Sequence, residues 1–238
     1  MYNKMQQRFA RNKYSLFIFG MLGAASLASF GLWRWRESVT SDANYDYLAW
    51  NLFLAWIPFL IAYFTYTFPL RRPWIFLLMP IAVILWLIFF PNAPYLLTDF
   101  IHLSYPNQQE IETWYDVLML LWFSFTGLLL GVVSLFMMQE IIRREIGRWV
   151  GWGFVTIVTA LGSIGVYVGR FLRWDSWDIL HHPLWVARFI LQQVGSPSSQ
   201  AIVFTTIFGA FFLFLYLTLY AFGHLLLERQ SASNAGGQ

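Results

Sequence analysis

Six stretches of the chain are almost continuously apolar, at residues 14–33, 47–67, 73–90, 114–138, 149–168 and 201–227, with the charged residues gathered in the segments between them. A helix of about 20 apolar residues is long enough to cross a bilayer core of roughly 30 Å. The pattern therefore predicts an all-α fold, a polytopic membrane bundle of six transmembrane helices. Pro80 interrupts the third run. A neighbouring helix or a Ser or Thr side chain can satisfy the carbonyl that a proline frees, so a kink is expected there and not a break.

The fourth run carries Ser124, Gly127, Gly131 and Ser134, spaced three, four and three, which places all four on one helical face; Gly162, Gly165 and Gly169 do the same in the fifth. In lipid, small residues on one face let helix backbones approach closely, so these two helices are expected to pack on each other or on a third within the bundle. No repeat aligns the two three-helix halves, which leaves an inverted-repeat transporter without support.

Composition agrees with the pattern. The chain is 58% hydrophobic and 11% charged, where an average soluble protein carries about a quarter charged residues. Six spans in 238 residues leave no room for a sizeable soluble domain. The expected organisation is a basic tail over 1–13, one transmembrane domain over 14–229, and a disordered tail rich in Ser, Ala and Gly over 230–238. The absence of cysteine excludes thiolate catalysis, iron–sulfur ligation and disulfides.

The net charge of +3 reads as membrane topology and not as a nucleic-acid surface. With the N-terminus cytoplasmic, Lys4, Arg8, Arg11, Lys13, Arg71, Arg72, Arg143, Arg144, Arg148 and Arg229 all fall inside, while nine of the twelve acids fall outside. The positive-inside rule then predicts that both termini are cytoplasmic. Trp33, Trp50, Trp114, Trp149 and Trp174 stand near span ends, where an indole can lie at headgroup depth with its N–H in water. Lys13, the apolar run and Ser26-Leu27-Ala28 also resemble a signal peptide. The aromatic continuation at residues 30–35 and the length of the run favour a retained span.

Three polar segments share the predicted outer face. In "FFPNAPYLLTDFIHL", Asn92 is a good N-cap and Pro94 fits a first turn, so a short interfacial helix is expected with Tyr95, Asp99 and His102 in one wet stripe and Leu96, Leu97, Phe100, Ile101 and Leu103 facing the bundle. Residues 91–113 contain no Lys or Arg, so Asp99 is solvated, paired at a distance or bound to metal. In "ETWYDVL", Asp116 opens the fourth span; Thr113-x-x-Asp116 has the form of a capping box and places an acid at the positive end of the helix dipole. In "GRFLRWDSWDILHHP", Arg170 and Arg173 are i, i+3 and able to grip a carboxylate or phosphate, or to pair with Asp99 and Asp116. Arginines on the side that disfavours them ask for a reason of this kind. The following segment, 183–194, is amphipathic enough to lie over the cluster in the interface.

With "FFPNAPYLLTDFIHL", "WYDVLMLLWFSFTGLLLG" and "GVYVGRFLRWDSWDIL" in this order, the chain resembles the bacterial membrane-protein family catalogued as domain of unknown function 1361. The resemblance runs from about the second span to the last. It implies a multi-span protein of the bacterial inner membrane and implies no activity.

Two functions are compatible with these residues. One is a membrane-embedded site acting on a lipid-like amphiphile, with Asp99, His102 and Asp116 as acid/base groups or, joined by Asp178, His181 or His182, as ligands to a divalent metal, and with Arg170 and Arg173 holding an anion. The other is a non-enzymatic subunit or assembly factor packed in a larger membrane complex, its charged cluster serving as an internal clamp. The expected partners are the lipid bilayer and other membrane subunits, with no nucleic acid. Whether the protein is an enzyme stays open at this level.

Overall fold

The fold is taken from a computed structural model that describes residues 2–40, 45–67, 74–104, 112–174, 181, 188, 195 and 198–235, and side chains within 16–40, 45–67, 78–103, 112–174 and 198–225. Helices α1 (Tyr2–Val39), α2 (Asp46–Thr67) and α3 (Trp74–Phe89) are followed by a four-residue α4 (Asn92–Tyr95) that passes directly into a 3₁₀ helix (Leu96–Ser104). Then come α5 (Thr113–Glu145), α6 (Arg148–Leu172) and α7 (Ser199–Ala235). No strand occurs among the described residues. Among the described residues, six helices are long and apolar enough to cross a membrane.

The helix limits follow the apolar runs, with longer ends where polar residues continue a helix that the membrane segment has nucleated. Thus α1 includes the basic segment read as a tail, and α7 continues to Ala235, through residues read from composition as disordered. Pro80 lies inside α3, which continues through it.

The chain divides into two compact units, Met1–Met138 and Gln139–Gln238. In the first, α2 packs against α3 and α4, and Phe19 of α1 meets the rings of Trp56, Phe59 and Tyr63 of α2 at centroid distances of 5.4, 5.9 and 5.3 Å. Polar bonds between helices are sparse and specific, as expected where lipid supplies no hydrophobic drive between helices. Trp56 Nε1 donates to Ser26 Oγ at 2.9 Å, Trp122 Nε1 donates to the Ala25 carbonyl at 3.0 Å, and Ser29 and Thr126 hydroxyls meet at 3.5 Å.

The small face of α5 receives α4 and the start of the 3₁₀ helix. A Cβ added at Gly127 would lie 2.5 Å from Leu96 Cδ1 and 2.6 Å from the Ala93 carbonyl oxygen. Ser124 Oγ donates to the Leu96 carbonyl at 2.8 Å. These two positions of the stripe thus serve a close backbone approach, and their partner is the short helical segment after α3.

In the second unit α6 packs along α7. A Cβ at Gly209 would lie 3.1 Å from Ser163 Oγ, and Tyr167, Phe171, Phe204 and Phe208 form a run of ring contacts at 5.0 to 5.9 Å. Deeper along α7, Tyr216 donates a short hydrogen bond to Gln139 Oε1, with both side chains buried.

Candidate functional site

A group of polar residues of the first unit meets at one end of its helices, and a charge pair anchors it. Arg36, in the last turn of α1, donates from Nε to Asp116 Oδ1 at 2.7 Å and from Nη2 to Asp116 Oδ2 at 3.2 Å. Tyr45, just before α2, adds a third bond from its hydroxyl to Asp116 Oδ2 at 3.3 Å, and its ring lies 4.2 Å from the Arg36 guanidinium carbon. Arg36 and Asp116 are only 4% and 5% exposed. Burying two charges costs several kcal/mol per ion, which good geometry and further hydrogen bonds offset; the forked bond, the phenol and the ring face supply both. Tyr115 strengthens the same junction by donating to the Leu32 carbonyl at 2.8 Å.

Asp99 occupies the next position. Its carboxyl is fully buried, and Asn51 Nδ2 donates to its Oδ2 at 3.2 Å. Tyr47 and Asn51 stand one turn apart on α2, and Asp99 and His102 are three apart on the 3₁₀ helix, which turns every three residues. Each pair therefore lies along one side of its helix, and the sides face each other. The Tyr47 and His102 rings are 4.5 Å apart, and Tyr45 and Tyr47 are 6.1 Å apart. A chain of contacts thus runs from Asp116 through Arg36, Tyr45 and Tyr47 to His102, with Asn51 and Asp99 beside it.

This arrangement revises several expectations. Asp99 does not belong to a wet stripe, because the 3₁₀ winding turns it inward and leaves Ile101 exposed. Asn92 is the first residue of α4, not its N-cap, and its amide donates to the Phe89 carbonyl at 3.0 Å. Asp116 does stand in the first turn of α5, but its carboxylate is turned to α1. Its cation is Arg36, a residue the sequence reading did not single out. The bias that drew attention to Arg170 and Arg173 applies equally to Arg36, and nothing in the spacing ranked the three.

Arg170 and Arg173 lie in the second unit. Arg170 is in the last turn of α6, and Arg173 ends that helix in the left-handed conformation, φ 57°, with its side chain exposed. Such a residue is a common helix stop, although glycine usually fills it. Asp178, His182 and most of 183–194 lie outside the described residues, and His181 is exposed. Among the described residues, no three His, Asp or Glu side chains are gathered as a metal would require.

Six apolar helices, a buried ion-paired network at the end of four of them and side-chain hydrogen bonds between spans define a multi-pass integral membrane protein. The family model described as Protein of unknown function (DUF1361) matches residues 50–215, and the chain belongs to that family. No curated protein and no solved structure matches it.

Proposed function

We propose that the protein is a non-enzymatic subunit or assembly factor of a larger membrane complex, seated in the bacterial inner membrane with both termini cytoplasmic. The outer polar residues hold its own helices in register, and its apolar faces meet lipid and neighbouring subunits. The observation that carries this reading is the Arg36–Asp116 pair. Three donors engage the Asp116 carboxylate, and a buried carboxylate neutralised in this way is poorly placed to act as a base or to give its lone pairs to a metal. The distribution of basic residues between the spans supports the orientation.

A second reading keeps a site for an amphiphile within the first unit, with Asp99 and His102 as acid/base groups or metal ligands. The complete burial of Asp99, an ionisable group placed in a membrane domain, favours it. One experiment separates the two. The protein is extracted in mild detergent, and its metal content and native mass are measured beside those of an Asp99→Asn, His102→Ala double variant. The proposal expects no stoichiometric metal and a reproducible heavier species containing a second polypeptide. One metal per chain, lost in the variant, overturns it.

A further inference from the structure

The tip joining α5 to α6 combines charge, exposed apolar side chains and a short closed turn. Only Ile146 and Gly147 separate Glu145 from Arg148. Gly147, at φ 143°, closes the turn, with its N–H and that of Ile146 both donating to the Ile142 carbonyl, at 3.3 and 2.9 Å. A connection this short cannot carry the tip away from the membrane. With 33 residues, α5 is about 50 Å long, against a hydrocarbon core of roughly 30 Å. The ends of α5 therefore reach the headgroup layers.

At this depth the tip presents Arg143, Arg144 and Arg148. Glu140 accepts from Arg143 Nε and Nη2 at 2.7 and 2.9 Å and from Arg144 Nε at 2.6 Å, so the one acid satisfies two arginines in part. Both guanidinium side chains stay about half exposed, at 45% and 40%. Arg148 has no ion-pair partner among the described residues. Gly151, three residues after it, would place an added Cβ 3.3 Å from Arg143 Cβ, so the two helices cross closely about one turn from Arg148. Around the arginines, Trp149 is 83% exposed and Ile146 is 64% exposed. Apolar side chains so exposed suit the boundary between acyl chains and headgroups.

The geometry points to a binding place for the phosphate of an anionic phospholipid at the α5–α6 tip, with Arg148 as its cation, Arg143 and Arg144 as flanking donors, and Trp149 and Ile146 set among the acyl chains. This goes beyond the proposed function and does not depend on it, since an enzyme and a scaffold would hold such a lipid equally. The charge complementarity is local: a cation with no ion-pair partner among the described residues stands at the helix tip beside two arginines that share one acid.

The absence of native cysteine makes the test direct. At Gly153 on α6 an added Cβ would meet nothing within 4 Å, so Gly153→Cys can carry a fluorophore beside the tip. The full chain is reconstituted in phosphatidylcholine with a small fraction of either brominated phosphatidylglycerol or brominated phosphatidylcholine, and quenching reports which lipid stands there. The expectation is stronger quenching by the anionic lipid, falling with added salt and reduced about fivefold in affinity by Arg148→Gln. Arg34→Gln, at the far end of a different helix, leaves the preference unchanged. Equal quenching by the two lipids in the parent protein overturns the proposal, as does a preference that survives Arg148→Gln together with Trp149→Ala. Displacement by inorganic phosphate at equal concentration overturns the lipid assignment. Should Arg148→Gln fail to fold, the salt dependence of the parent protein still decides the matter.

Discussion

Arg36 and Asp116 are each tolerated in the interior because of the other, and this makes their substitutions asymmetric. Arg36→Ala leaves a buried carboxylate with only the Tyr45 hydroxyl from this network and is expected to destabilise the protein by about 3 to 5 kcal/mol. Arg36→Met combined with Asp116→Leu removes both charges and is expected to recover most of that loss. Thermal unfolding of the single and double variants in one detergent checks the cycle, and a double variant as unstable as the singles would mean that the pair does more than compensate itself. At the neighbouring position, Asn51→Leu removes a hydrogen bond to the buried Asp99 carboxyl and is expected to cost about 1 to 3 kcal/mol by the same measurement.

Among the elements, the contact of α5 with the Asn92–Ser104 segment leaves the least room. At Gly127 the nearest atoms to an added methyl include a backbone carbonyl, which cannot swing aside as a side-chain tip can. Gly127→Ala is therefore expected to lower stability by about 1 to 3 kcal/mol. Gly20→Ala, in open space on α1, is expected to be neutral or to stabilise by up to about 1 kcal/mol through helix propensity. Melting temperatures of the two variants should move in opposite directions or differ clearly in size. The six spans were legible in the sequence because length and apolar continuity are properties of each segment alone. The small face of α5 was legible for a similar reason, but not what it would hold, since that depends on a segment more than twenty residues away. The inward turn of Asp99 was not legible: it follows from 3₁₀ winding at residues 96–104, whereas the apolar spacing there suits an α-helix with the acid outside. Arg36 escaped because its partner stands in another helix, and sequence distance hides such pairs.

For the molecule as a whole, the orientation in the membrane is the property most directly open to measurement. Ser38, at the end of α1, and Ile146, in the α5–α6 tip, are both exposed and lie at opposite ends of the predicted spans. In intact cells, Ser38→Cys is expected to react with a membrane-impermeant maleimide, and Ile146→Cys only after lysis. The reverse pattern would invert the protein and move the Arg36–Asp116 network to the cytoplasmic side.

Arg36 and Asp116 are separated by 80 positions in the chain. During synthesis α1, α2 and α3 emerge before α5, so for much of translation the arginine has no counter-ion from this pair and must remain near water. The fastening of α1 to α5 can therefore close only once α5 has been made. The pair thus joins the first helix of the protein to one made much later, and the junction depends on both being present.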